Sequence, residues 1–208
     1  MKSMAIEKRR TLVVIFIAFL VVFEMVAYVA TTPWPSEQFY RLYVLGANHL
    51  VADYYPNDDP NVRVGESVSW YIGVTNLMGS VQLVEIRVKL GNQTIQPPDE
   101  QNALPSQAPL VTYFHRFIQD NETWELPFVW QISNMTSSGG VTRILGLQLN
   151  NQTIQMLNSS AQNGYNFRLI IELWTWNVDS SSFEFGWYTG TEHQIAWLQV
   201  WFNATALH

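Results

Sequence analysis

VSWYIGVTNLMGSVQLVEIRVKL (68–90) holds two alternating runs joined by a short LMGS connection. In VSWYIGV (68–74), Val68, Trp70, Ile72 and Val74 point one way, and Ser69, Tyr71 and Gly73 the other. In VEIRVKL (84–90), Val84, Ile86, Val88 and Leu90 oppose Glu85, Arg87 and Lys89. A period of two is the mark of a strand with one buried face. The two runs therefore predict an antiparallel hairpin with one wet face. WELPFVWQI (124–132) repeats the pattern, with Trp124, Leu126, Phe128, Trp130 and Ile132 inward. Its Pro127 has no N–H to give to a ladder, which predicts an edge strand.

Working outward, further strands are expected at 38–45, 110–118, 143–149, 165–176, 183–189 and 194–202. Loops rich in Pro, Gly, Asn and Ser separate them at 46–65, 91–108, 133–140, 150–164 and 177–182. Many short strands between turn signals predict an all-β, immunoglobulin-like antiparallel β-sandwich over 38–208. GNQTIQ (91–96) and NNQTIQ (150–155) each follow a strand-like run, an echo that would mark two similar hairpin turns.

The N-terminus reads differently. TLVVIFIAFLVVFEMVAYVAT (11–31) is apolar except for Glu24, and about 20 helical residues span the roughly 30 Å hydrocarbon core. Lys2, Lys8, Arg9 and Arg10 precede it, which predicts a cytoplasmic tail over 1–10 and an exterior domain after a 32–37 linker. The expected location is the plasma membrane. Tyr28 and Trp34 sit where interfacial aromatics belong, and Pro33 and Pro35 stop the helix. The rival is a cleaved signal peptide, which has a shorter apolar region and an A-x-A-like site. Glu24 is costly inside a span and marks a candidate partner contact.

Composition narrows the chemistry. The absence of cysteine removes disulfides, thiolate metal sites and thiol catalysis. Only seven basic residues follow position 31 in an acidic chain, so no nucleic-acid partner is expected. Asn92, Asn121, Asn134, Asn151, Asn158 and Asn203 each begin an N-x-[ST] sequon, where fifteen Asn give roughly two by chance. All six lie on the expected exterior side, so N-linked glycans are anticipated. His49, His115, His193 and His208 share no ligand-like spacing. Asp53, Asp58 and Asp59 in DYYPNDDPN (53–61) form a weak Ca²⁺ candidate against a simple turn role. No catalytic motif or cofactor fingerprint appears.

The C-terminal third is apolar on both strand faces, which requires cover on both sides or an interaction patch. Trp174, Trp176, Trp187, Trp197 and Trp201 are the candidate partner residues there.

ADYYPND (52–58), VRVGESVSWYIGVTN (62–76), VEIRVKLGNQT (84–94) and DNETWELPFVW (120–130) together carry a family pattern. A strand opens at V-G-E-x-V and closes at V-x-N, a partner strand follows, and then W-E-x-P-F. These residues resemble a conserved archaeal membrane-protein family of unknown function with an extracellular immunoglobulin-like domain. The resemblance implies an archaeal source and an external sandwich, and it brings no catalytic residues. The expected function is a non-enzymatic structural, binding or accessory component of the cell envelope, held in the lipid bilayer and meeting a protein partner. The alternatives are an auxiliary subunit of a membrane enzyme complex and a pilin-like filament subunit.

Overall fold

The computed structural model describes residues 2–31 and 37–205; Pro33, Trp34, Pro35 and His208 lie outside them. Helix α1 (Lys2–Thr31) carries the apolar run, and Leu12–Thr31 within it is long and apolar enough to cross a membrane. The helix takes in the basic residues as well as the expected span. Side chains from Leu12 to Val26 are exposed, Glu24 among them. Residues 1–37 and 38–208 form two separate units, divided where the linker was expected to end.

The second unit is built from strands. In chain order they are β1 (Phe39–Leu45), β2 (Asn61–Arg63), β3 (Val68–Leu77), β4 (Gln82–Asn92), β5 (Leu110–Ile118), β6 (Thr123–Ser138) and β7 (Val141–Leu149). There follow β8 (Gln152–Gln162), β9 (Phe167–Asn177), β10 (Ser182–Phe185), β11 (Trp187–Thr189), β12 (Glu192–Gln194) and β13 (Trp197–Thr205). One sheet runs β1-β3-β6-β7-β8; the other runs β2-β13-β9-β4-β5, with β10 beside β9 and a separate β11–β12 ribbon. Pairing is antiparallel except for β2, which lies parallel to β13.

The inward faces meet as the alternation predicts. Val68, Trp70, Ile72 and Val74 of β3 are fully buried, as are Val84, Ile86, Val88 and Leu90 of β4. An aromatic spine crosses between the sheets: Trp70 meets Trp130 at 5.3 Å, Trp130 meets Phe202 at 4.9 Å, and Phe202 meets Phe167 at 5.8 Å. Trp70 also donates its indole N–H to the Tyr54 carbonyl at 2.6 Å, so this buried donor is satisfied.

The expected 68–90 hairpin does not form. β3 pairs with β1 and β6, while β4 pairs with β5 and β9, so the short link is an arch from one sheet to the other. Asn76, fully buried, is the keystone. Its amide nitrogen lies 2.8 Å from the Ser80 carbonyl, 3.0 Å from that of Ile118 and 3.1 Å from that of Gln119. Its amide oxygen accepts the Met78 N–H at 3.0 Å.

Pro127 lies in an interior strand rather than an edge strand, since β6 sits between β3 and β7. The ladder to β7 begins only at Trp130, and the Asn150 side chain covers the gap by donating to the Pro127 carbonyl and accepting the Val129 N–H. Proline is tolerated because no neighbouring strand needs its missing N–H there.

Segments 133–140 and 150–164, expected as loops, are mostly strand. β6 runs on to Ser138 and turns at Gly139–Gly140, both with positive φ; β8 follows an Asn150–Asn151 turn with φ of 42° and 68°. Both positions suit the left-handed turn residues of a tight hairpin. The echo marks one hairpin only, because at 92–95 the Asn92 amide oxygen instead accepts the N–H groups of Thr94 and Ile95. The 183–189 strand is broken at Gly186, where φ is 83° and a Cβ would strike the Gln194 carbonyl.

Candidate functional site

The outer face of the second sheet is where the chemistry concentrates. The expected wet side of β4 is dry: Glu85 and Lys89 are buried and Arg87 is partly covered. The loop between β4 and β5 folds back over this face and supplies the cover. Within it, Asp99 accepts from the Asn102 side-chain amide and from the backbone N–H groups of Asn102 and Gln101, which hold its carboxyl below the ordinary range.

Under that loop, Glu172 of β9 is completely buried. Lys89 Nζ lies 2.9 Å from its Oε2, the Ser106 N–H donates to Oε1 at 2.8 Å, and the Trp174 indole donates to Oε2 at 3.0 Å. Lys89 also donates to the Ser106 carbonyl at 2.6 Å. Arg87 pairs with Glu85 at 2.6 Å and lies 3.5 Å above the Trp174 ring. At the far end, Arg168 is buried with its guanidinium 4.7 Å over the Trp201 ring. Burial lowers the Arg168 pKa, and its two terminal nitrogens donate to Gln199 and the Ile95 carbonyl.

These contacts decide the fate of the candidate tryptophans. Trp187 is core, packed edge-on against Tyr40 at 5.0 Å. Trp174 is held within the charged cluster, and Trp197 donates to Glu100 of the covering loop at 3.2 Å. Trp176 and Trp201 remain exposed on the face, at 39% and 38%.

Beyond the loop the face is open and aromatic. Tyr113, His115 and Phe117 project from β5, the edge strand, and Phe117 is 65% exposed. Tyr113 stacks on His115 at 6.2 Å, His115 reaches Phe183 at 6.3 Å, and Phe183 meets Trp176 edge-on at 5.2 Å. This continuous band ends at a cleft of about 760 Å³ lined by Tyr40, Trp176, Trp187 and Tyr188, with Asn177, Asp179, Glu184 and His193 among its polar groups.

The remaining candidates disperse. Among the described residues no group of three His, Asp or Glu side chains converges on a metal site. Asp53 accepts from Asn48 and borders a separate 350 Å³ hollow with Asp58, while Asp59 caps the backbone N–H of Asn61. The Ca²⁺ candidate is thus a set of turn contacts. His49 stacks on Tyr71 at 3.6 Å beside Glu125, which accepts the Tyr43 hydroxyl at 2.8 Å. Burial, reinforced by the Glu125 bond, pushes the Tyr43 pKa up to about 12. His193 bonds through Nε2 to the Phe185 carbonyl at 2.8 Å.

Four sequon asparagines, Asn121, Asn134, Asn151 and Asn158, stand exposed. Asn92 and Asn203 are half-buried, and their amides donate to the Ser160 carbonyl and to Asn61.

No protein-family model matches the chain, and no curated protein sequence is similar to it. Among solved structures it is similar to a β-glucosidase from Listeria innocua in complex with glucose, at 12% identity and a TM-score of 0.39. The same enzyme with isofagomine gives 9% and 0.35. The alignments cover 84% and 85% of this chain but 17% of the enzyme, so the chain spans about a sixth of its length.

The β5 aromatics were not singled out from the sequence, although VTYFHRF (111–117) carries the signal. Its alternate residues Tyr113, His115 and Phe117 are all aromatic and face outward, with Phe114 inward against Phe128.

Proposed function

We propose that this chain is a membrane-anchored, non-catalytic binding component of the cell envelope. Its N-terminus is cytoplasmic, its β domain is external and N-glycosylated, and it engages a partner protein through the aromatic band. The observation that carries the reading is the row of exposed rings on β5. An edge strand has free backbone groups as well as apolar surface, a liability on a solitary protein and a docking device on a bound one.

Other features support the placement. The basic residues before the span follow the positive-inside pattern, and four sequons are exposed on the β domain. The strand order supports an immunoglobulin-like domain. β1, β3 and β6 stand as the A, B and E strands of one sheet, and β5, β4, β9 and β13 as C′, C, F and G of the other. The chain departs from antibody domains in replacing strand D by the β7–β8 hairpin and in lacking a disulfide. The resemblance to archaeal membrane proteins agrees with this reading.

Glu24 favours a second reading. It is the one charged residue within Leu12–Thr31 and stands exposed on the helix, where a neighbouring span of a larger complex would meet it. Gentle extraction of the full-length chain followed by native mass analysis tests both. A stoichiometric partner released by Phe117→Ala supports the binding component. Polytopic subunits released by Glu24→Leu make the chain an auxiliary subunit. A lone monomer under all mild conditions overturns both.

A further inference from the structure

β5 ends its sheet, and its free edge differs from the other three ends of the two large sheets. β1 carries the exposed Arg41, and β2 is 3 residues long. β8 is polar, slips in register beside Gly146 and holds the exposed Asn158 sequon. Charge, shortness and irregularity are the ordinary guards against edge-to-edge pairing. β5 has little of this. Thr112 to Ile118 pair with Val88 to Gln82 without a break, and Arg116 is already held by Glu122 at 2.8 Å. Of its outward rings, Tyr113 is 54% exposed and Phe117 65%.

That regular stretch has His115 at its centre, so a second copy turned about a two-fold axis can meet it residue for residue. In an antiparallel ladder, directly opposite side chains lie on the same face. A register one residue off would set the outward rings of one copy beside the core side chains of the other, and burial forbids it. Among the permitted registers, centring on Arg116 opposes two guanidinium groups, which is unfavourable. Centring on Phe114 sets Phe117 against Val111, the residue left out of the ladder where the β4–β5 register shifts. Centring on His115 sets Tyr113 opposite Phe117, Phe114 opposite Arg116 and Thr112 opposite Ile118. Every residue of the regular stretch is then paired, no two arginines meet, and the rings of both copies form one band. Aromatic pairs are among the favourable cross-strand neighbours.

We propose that the partner on β5 is a second copy of this chain, joined strand to strand about a two-fold axis through His115. The inference rests on the β5 row being a protein-docking surface and names its occupant. Across two copies, Tyr113 and Phe117 remove on the order of 500 Å² of ring surface from water. That is below the roughly 1,200 Å² at which standard interfaces begin, so the contact is weak between free molecules. Anchors in one bilayer raise the effective concentration. The dimer holds in the membrane and under gentle extraction, and it separates when the extracted chain is diluted.

The chain has no cysteine, so single introduced thiols report the register in the full-length protein. Variants are reconstituted in phosphatidylcholine vesicles and oxidised with copper–phenanthroline. Directly opposite residues of an antiparallel ladder lie close enough for a disulfide. His115→Cys should cross-link to itself as the major product. Met156→Cys, at a position 97% exposed on β8, should stay monomeric. Tyr113→Cys and Phe117→Cys should link to each other several-fold better than either links to itself, because like positions sit roughly 13 Å apart along the strand. Adding Phe117→Ala to His115→Cys should cut the yield about tenfold. All four positions are exposed, so an unchanged melting temperature shows that each variant is folded.

Cross-linking at 115 no better than at 156, or self-linking at 113 and 117 that matches the mixed link, would overturn the dimer. If a different protein co-extracts and Phe117→Ala releases it while His115→Cys gives no dimer, only the second copy falls as the occupant. If neither a dimer nor a partner is found, the docking reading falls with it.

Discussion

Lys89→Met removes one half of an ion pair that the second sheet keeps from water. The Lys89 side chain is 9% exposed and that of Glu172 0%, with nitrogen and oxygen 2.9 Å apart. After the substitution Glu172 keeps the Ser106 and Trp174 donors but loses the cation bonded to it. Leaving a buried carboxylate without its partner costs about 3–5 kcal/mol. At about 2–4 °C per kcal/mol for a domain of this size class, the melting temperature falls by roughly 6–20 °C. Glu172→Gln in the same background removes the stranded charge and keeps an acceptor for the Ser106 N–H. Replacing both members of a buried pair is close to neutral, so the double variant should recover about half of the loss or more. Thermal and urea unfolding of the full-length wild type, both single variants and the double variant in one non-denaturing detergent give the coupling energy directly. A Lys89→Met cost below about 1 kcal/mol, or a double variant as unstable as the sum of the singles, would refute the reasoning. Either result means that water reaches Glu172 and that the β4–β5 loop does not seal the face.

Three further outcomes are open to measurement. Asn76→Ala strands the Ile118 carbonyl and the Met78 N–H beneath the arch, and should cost about 2–4 kcal/mol by chemical denaturation; a cost below about 0.5 kcal/mol refutes its role as keystone. Burial raises the pKa of Tyr40 and Tyr55, and that of Tyr43 goes to about 12. In the unfolded chain tyrosine ionises near pH 10, so these three groups stabilise the fold fully below that pH, and the contribution drains away as pH rises from about 10 through 12. Ultraviolet titration should find them still protonated at about pH 11, and normal ionisation of all nine tyrosines would count against the packing. Glycopeptide mass mapping should find occupancy at Asn121, Asn134, Asn151 or Asn158 rather than at Asn92 or Asn203, whose amides are engaged; the opposite distribution refutes the assignment by exposure.

Much of the site escaped the sequence for identifiable reasons. Tryptophan marks buried surface and exposed surface alike, so the five C-terminal tryptophans could not be sorted until their neighbours were known. Trp187 lies in the core, Trp174 between Arg87 and Glu172, and Trp197 against Glu100, a residue 97 positions away. β8 was missed because QTIQMLNSSAQ (152–162) is an edge strand with a mostly polar composition, and the ladder to β7 rather than an apolar face defines it.

What the sequence determined by itself was everything governed by local geometry. The apolar length of 12–31 made a helix able to cross a membrane, and alternation in 68–74, 84–90 and 124–132 fixed which side chains face inward, because successive residues of a strand point to opposite sides. Only the tertiary structure decided which strands are neighbours and what covers each face. Alternation is identical whether VSWYIGV and VEIRVKL share a ladder or lie in opposite sheets. The choice was made by Asn76, whose amide reaches carbonyls more than forty residues away. Likewise Glu85, Arg87 and Lys89 read as solvent-facing until a distant loop and β9 supplied Ser106, Glu172 and Trp174 to bury them. Burial is a property of the assembled surface, and no residue carries it alone.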